Sequence, residues 1–235
     1  MGRWFCSFEE LARSAGLAEK MTSTMIDAGC APGPIYGLHK DEGWWSALAG
    51  YTGDASSEPP TGGQLWYSPA AAWWLRRAAL MHRDGYNLAQ AAAQNESIFR
   101  NEFCRLLPAE KDGALAYPDC FTEEGEIVAS QCSAKASSEW RAWVSGAYGV
   151  CLRDFSAGTC IRKETLAAKI KQGLARDEIV SNDENWKMNL LDKLQELSSL
   201  ITPFAPWERP TGTPGKTIDV ALHSMELGGE FPYSP

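Results

Sequence analysis

Apolar residues recur at helical spacing along most of this chain. Phe8, Leu11, Ala12 and Ala15 share one face three and four residues apart. Ser7-Phe8-Glu9-Glu10 just before them has the form of a capping box, with Ser7 as N-cap and Glu10 reaching back. After Gly16, Met21, Met25 and Ala28 mark a second helix that Gly29 ends. Two short helices joined by a glycine-containing turn predict a helix-turn-helix-like lobe over 1–36. Residues 37–66 are rich in Gly, Trp, Ser and Pro and read as a long irregular connection. Ser68-Pro69 has the N-cap and N1 residues of a helix start, followed by Trp73, Trp74, Ala78 and Met81. A longer stripe runs through Leu88, Ala91, Ala92, Ile98, Phe99, Phe103 and Leu106 to Pro108. Residues 108–135 are acidic and turn-rich.

Beyond them, Ser137 or Ser138 opens a helix carrying Trp140, Trp143, Val144, Ala147 and Tyr148. Ile161, Leu166, Ala167, Ile170 and Leu174 mark the next, with Arg162-Lys163-Glu164 as its exposed start. Asp183 caps another that stops at Thr202-Pro203, where the residue before proline is pushed out of helix. From 203 the chain is Pro- and Gly-rich, except for a short helical stretch over 217–227. Strand-like alternation is scarce. The prediction is a mostly α protein: a single helical domain over 37–206, the N-terminal lobe, and an irregular Pro/Gly-rich tail over 207–235.

Charge narrows the function. Among 235 residues, 22 Lys and Arg face 30 Asp and Glu, for a net charge of −8. A free-standing nucleic-acid binder needs a basic footprint to neutralise phosphates, so this balance argues against one. The stretch ending in Ala28-Gly29-Cys30-Ala31-Pro32-Gly33-Pro34 resembles the opening of MerR-like DNA-binding domains. Its second helix nevertheless offers a DNA groove only Lys20 and small polar residues.

No apolar run approaches the roughly 18 residues that would span a bilayer. The start, Met1-Gly2-Arg3-Trp4-Phe5-Cys6, lacks the apolar core of a signal peptide, so the expected location is the cytoplasm. Seven cysteines without a C-x-x-C pair read as reduced, mostly buried thiols. Phosphate-loop, dinucleotide-binding, zinc-protease and nucleophile-elbow motifs are all missing. Three histidines are too scattered for a His-rich metal cage. The expectation is therefore no cofactor and no metal.

Candidate chemistry gathers where aromatic residues cluster. Trp44, Trp45, Trp66, Tyr67, Trp73 and Trp74 could line a pocket that holds an amine by cation–π contact. Asp54 and Asp41, in the same irregular stretch, could pair with an ammonium or take its proton. Arg76 and Arg83 share a helix face, with Trp73 one turn before Arg76 and His82 at the rim. Arginine suits planar, bidentate binding of sulfate, phosphate or carboxylate. Near Gly146-Ala147-Tyr148-Gly149-Val150-Cys151, small residues let another element approach closely. Arg153 follows.

The chain also resembles a family of bacterial proteins labelled only as natural-product biosynthesis proteins of unknown function. The matching residues are Trp140-x-x-Trp143-x-x-Gly146-x-Tyr148-Gly149-Val150-Cys151, Ile161-x-Lys163-Glu164 and Pro203-Phe204-Ala205-Pro206. Trp66-Tyr67-Ser68-Pro69 and the segment from Ala28 to Tyr36 belong to the same likeness. The chain departs from that family's pattern at Trp207-Glu208-Arg209-Pro210 and at Phe155-Ser156. The resemblance implies bacterial secondary metabolism. By analogy with aziridine-forming enzymes of azinomycin-type pathways, it suggests a cofactor-independent ring closure that expels sulfate from an amine precursor, carried out as a heterodimer.

On that expectation Asp54, Arg76 and His82 are catalytic, while Trp44, Trp45, Tyr67, Trp73, Arg83, Tyr148 and Arg153 bind substrate. Arg76, Arg83 or Arg153 would clamp the leaving sulfate, and Asp54 would take the amine proton. Two alternatives accompany this reading: a non-catalytic partner subunit of a biosynthetic enzyme, and a pathway regulator.

Overall fold

A computed structural model of the chain describes residues 4–51, 58–175 and 184–225. Ser7 caps α1 (Phe8–Ala15) and Glu10 closes the capping box, as its sequence predicts. Gly16 ends α1 in the left-handed region at φ 70°, where a Cβ would be strained. α2 (Glu19–Asp27) turns back beside it.

The next segment corrects the irregular connection expected over 37–66. It holds β1 (Tyr36–His39), β2 (Gly43–Ser46), β3 (Gly50–Tyr51) and β4 (Gln64–Trp66) in an antiparallel sheet of order β3-β2-β1-β4. Strands of two to four residues are too short to show a period of two. The pair Trp44-Trp45 hides the pattern further, because adjacent rings must point to opposite faces. Tyr36 pairs with Ser46 on one side and Trp66 on the other, so these residues share a face. Trp44, two residues from Ser46, lies on that face too, and Trp45 on the other, 3% exposed.

α3 (Ala71–Arg83) starts just past the Ser68-Pro69 signal, with the Ser68 carbonyl accepting from the Ala71 amide. α4 (Leu88–Leu106) is capped by a reciprocal Asn87–Gln90 pair. After the short α5 (Gly113–Ala116) comes α6 (Ala129–Val144), which begins well before Ser137. Its buried stripe is Cys132, Ala136, Glu139, Trp140 and Trp143. The early turns carry that stripe on a cysteine and an alanine, while the serines around them resemble caps and turns. α7 (Ala147–Cys151), α8 (Ala157–Ala175), α9 (Glu184–Leu200) and α10 (Val220–Ser224) follow. Asp183, the expected cap of α9, lies outside the described residues. In the segment from 203 to 225, α10 falls within the short helical stretch expected over 217–227, and Pro214–Asp219 winds into it as a π-helix.

Aromatic rings fill the main core between α3, α4, α6 and α8. Phe155 stacks on Phe99 at 4.9 Å and on Trp143 at 4.3 Å, with Trp74 and Trp140 against the same group. Burying each such side chain contributes on the order of 1.5–3 kcal/mol. Asn95 ties this core together, its amide donating to the carbonyls of Cys30 and Trp74. A second core joins α8, α9 and α10 through Leu166, Ile170, Leu194, Leu197, Ile218 and Leu222.

The segment after α9 closes over the sheet. Glu208, 2% exposed, accepts from the Tyr36 hydroxyl at 2.6 Å and from Ser46 Oγ. Trp207 lies 5.6 Å from Trp44, which stacks on Trp66 at 5.4 Å. The close approach expected near Gly149 is made by Ile35: a Cβ on Gly149 would sit 2.2 Å from Ile35 Cδ1. Among the described residues no helix is long and apolar enough to cross a membrane.

Candidate functional site

A network of ionisable side chains lies where α6, α7 and α8 meet. Lys135 and Glu139 sit one turn apart on α6, and Lys135 Nζ donates to Glu139 Oε1 at 2.8 Å. Glu139 is 5% exposed, and its other oxygen accepts from the Tyr148 hydroxyl. On α8, Lys163 is 4% exposed and donates to Glu164 Oε1 at 2.6 Å. That same oxygen lies 3.4 Å from the Tyr148 hydroxyl, and Lys163 Nζ is 5.3 Å from the Tyr148 ring centre. Two carboxylates and two ammoniums balance in charge, which lets them share a low-dielectric space.

The surroundings fix protonation. Burial first, then the charges of the Glu139 and Glu164 carboxylates, push the Tyr148 hydroxyl far above the ordinary phenol range, so it remains a donor. Burial pulls the Lys135 ammonium down, but its bond to Glu139 and the charges of Glu139 and Glu164 outweigh this and hold it cationic. Burial pushes the Cys160 thiol up, making it a neutral neighbour.

A cavity of about 220 Å³ adjoins this network, and Tyr117, Asp119, Cys120, Gln131 and Lys135 line it. Tyr117 is the wall between cavity and network. Its ring lies 5.6 Å from Lys135 Nζ, and its hydroxyl is buried. Lys135 is the group common to both sides, its side chain 44% exposed. An ammonium has three donors. Glu139 takes one, which leaves donors for an anion in the cavity. Among the described residues no group of three or more His, Cys, Asp or Glu side chains is placed to hold a metal ion.

The residues expected from sequence to form a site lie apart. Asp54 is outside the described residues, and Asp41 is exposed. Arg76, His82 and Arg83 are exposed on α3. His82 Nδ1 donates to the Tyr86 carbonyl at 2.8 Å, and Arg83 lies 3.7 Å from Asp84. Trp44 belongs to the sheet, and Trp45 is buried on the sheet's other face. Tyr67 packs in the core 5.5 Å from Phe8. Trp73 is 48% exposed, edge-on to Trp74 with Arg77 over its ring. Arg153 lies 4.3 Å over the Trp4 ring and donates to the carbonyls of Ser198 and Ile201. There it satisfies acceptors left over at the C-terminus of α9. Of the expected residues, Tyr148 alone takes part in the buried network.

Lys135, Glu139, Lys163 and Glu164 were the residues missed. Arg162-Lys163-Glu164 is not an exposed helix start: Lys163 is buried, and Arg162 bridges Glu196 and Glu110. The legible signal was Glu139, a lone carboxylate on the stripe of Cys132, Ala136, Trp140 and Trp143, with Lys135 four residues before it.

A family model described as a family of unknown function (DUF6058) matches residues 95–225, more than half of the chain. The chain belongs to the DUF6058 family. That description assigns no activity. The DUF6058 match includes Tyr117, Asp119, Lys135, Glu139, Tyr148, Lys163 and Glu164, as well as Glu208. The helices α1 to α3 and the sheet precede it. Comparison with curated proteins and with solved structures gave no significant match.

Proposed function

We propose that this DUF6058 chain is an enzyme that takes a small anionic metabolite into the Tyr117–Lys135 cavity. The observation that carries this reading is Lys135, a cation fixed at a cavity wall by a buried carboxylate that Tyr148 also holds. Lys135 binds the anionic group and stabilises negative charge as it develops. Asp119, on the same cavity, takes or returns a proton. Glu139 and Tyr148 act as positioning residues, keeping the ammonium aimed and charged. The Tyr117 ring supplies an apolar wall.

A ring closure that expels sulfate from an amine precursor is one reaction these groups suit. It needs a cation on the leaving group and a carboxylate for the amine proton, and Lys135 and Asp119 fill those roles on this proposal. A setting in bacterial secondary metabolism rests on the sequence resemblance. The test is metabolite profiling of a strain deleted for the gene and complemented with wild type, Lys135→Met or Asp119→Asn. The reading expects one defined anionic precursor to accumulate in the deletion and in both variants. Restoration of the wild-type profile by Lys135→Met would overturn it.

A second reading, a partner subunit in a biosynthetic complex, is favoured by the outward face of α3. Trp73 and Leu80 are 48% and 51% exposed there beside Arg76 and Arg77, an apolar and cationic stripe of the kind that marks interfaces. On this reading Trp73→Glu with Leu80→Glu reproduces the deletion profile, and a wild-type profile from that variant would count against it. Action on DNA has less behind it, since the exposed positions of α2 are Glu19, Lys20, Ser23, Thr24 and Asp27.

A further inference from the structure

A larger cavity, about 410 Å³, opens between the C-terminal half of α8 and the first turns of α9. Among the described residues that line it, the charged ones are Lys169 and Lys193. Asp112 pairs with Lys169 at 2.5 Å from outside the lining. Lys193 makes no ion pair among the described residues; its ammonium donates to the Asn189 side chain and backbone carbonyl. Burial and then the charge of Lys169 lower the Lys193 pKa, while the charges of Asp192 and Asp112 raise it in smaller measure. Trp186 and Leu190, on the same face of α9 as Lys193 and one to two turns before it, give the cleft its apolar surface. Gly173 leaves the space open: a Cβ there would meet nothing within 4 Å.

Two ammoniums with an indole and a leucine beside them in one cleft fit a ligand that joins an anionic group to an apolar body. We propose that this cleft is a second binding site, independent of the Lys135 cavity, for a flat organic carboxylate. The carboxylate bridges Lys193 and Lys169, and the apolar body lies against Trp186 and Leu190. An anion there relieves the repulsion between the lysines, and a charge-assisted bond to a carboxylate is among the stronger hydrogen bonds.

The test uses full-length protein labelled with 5-fluorotryptophan, the Trp186 resonance being assigned with Trp186→Phe. Benzoate is the probe, benzamide its neutral counterpart and inorganic phosphate an anion without an apolar body. The expected result is a saturable shift of the Trp186 signal with benzoate, absent with benzamide and weak with phosphate. Lys193→Met should weaken benzoate by about tenfold or more. Gly173→Leu should block the cleft while improving local helix preference, which separates loss of the site from loss of the fold. No shift with benzoate, an equal response to benzamide, or equally tight binding of phosphate would each overturn the proposal.

Discussion

Replacing Glu139 with alanine removes the group that Lys135 and Tyr148 both bond. Tyr148, 7% exposed, loses its bond to Glu139 and keeps the 3.4 Å contact to Glu164. Stranding a buried hydroxyl costs about 1–3 kcal/mol. Lys135 also loses its partner, but a side chain 44% exposed can turn to water, so it adds only part of the roughly 3–5 kcal/mol seen when a buried pair is broken. The sum is about 2–4 kcal/mol, equivalent to a fall in Tm of roughly 5–15 °C for a chain of this size. Urea unfolding followed by circular dichroism reads it directly, with the m value as the check that the two-state comparison holds. Glu139→Gln keeps the shape and an acceptor, so it should cost less than the alanine variant. With Tyr148→Phe it should show a coupling of about 0.5–3 kcal/mol in a double-mutant cycle. A Glu139→Ala cost under about 1 kcal/mol, or additive Glu139 and Tyr148 substitutions, would refute the network as described.

Other perturbations test other joints of the fold. Glu208→Ala strands the buried Tyr36 and Ser46 hydroxyls and should cost about 2–4 kcal/mol by urea unfolding; Glu208→Gln, which keeps acceptor and donor atoms, should recover most of it. Gly149→Ala forces a methyl to within 2.2 Å of Ile35 Cδ1 and should cost about 1–3 kcal/mol, with Ile35→Val in the same chain recovering part. Burial raises the thiols of Cys6, Cys30 and Cys151 to about 11. The folded state therefore favours the protonated thiols, and their contribution is complete below the unfolded pKa of about 8.5. It is lost as pH rises from there toward 11, at up to about 1.4 kcal/mol per pH unit for each thiol. Urea midpoints between pH 7.5 and 10 should fall, and Cys151→Ala should flatten the slope.

The helices were legible because their signals are local. Ser7 and Glu10 lie three residues apart, and the stripes of α4 and α9 repeat over several turns. The sheet was not legible, since its strands are too short for a period and its register depends on partners far along the chain. Tyr36 and Glu208 meet across 172 residues of sequence, and nothing local to either announces the other. The same holds for the candidate site. Sequence clustering favoured residues that neighbour one another in the chain, such as Trp44 with Trp45 and Arg76 with Arg83. Folding sends Trp44 and Trp45 to opposite faces of a sheet and leaves Arg76 and Arg83 in solvent. The buried network instead draws Lys135 and Glu139, Tyr148, and Lys163 and Glu164 from three helices. Tyr148 is its one member expected from sequence, and the isolated carboxylate on an apolar stripe is the local signal that points to the rest.

The most direct test of a substrate cation at Lys135 is turnover by the purified protein of the metabolite that accumulates in the deletion strain. Wild type should convert it, and Lys135→Met should lose about a hundredfold or more while still unfolding cooperatively, at a midpoint lowered by the stranded Glu139 carboxylate. Undiminished turnover by a folded Lys135→Met protein would contradict the account.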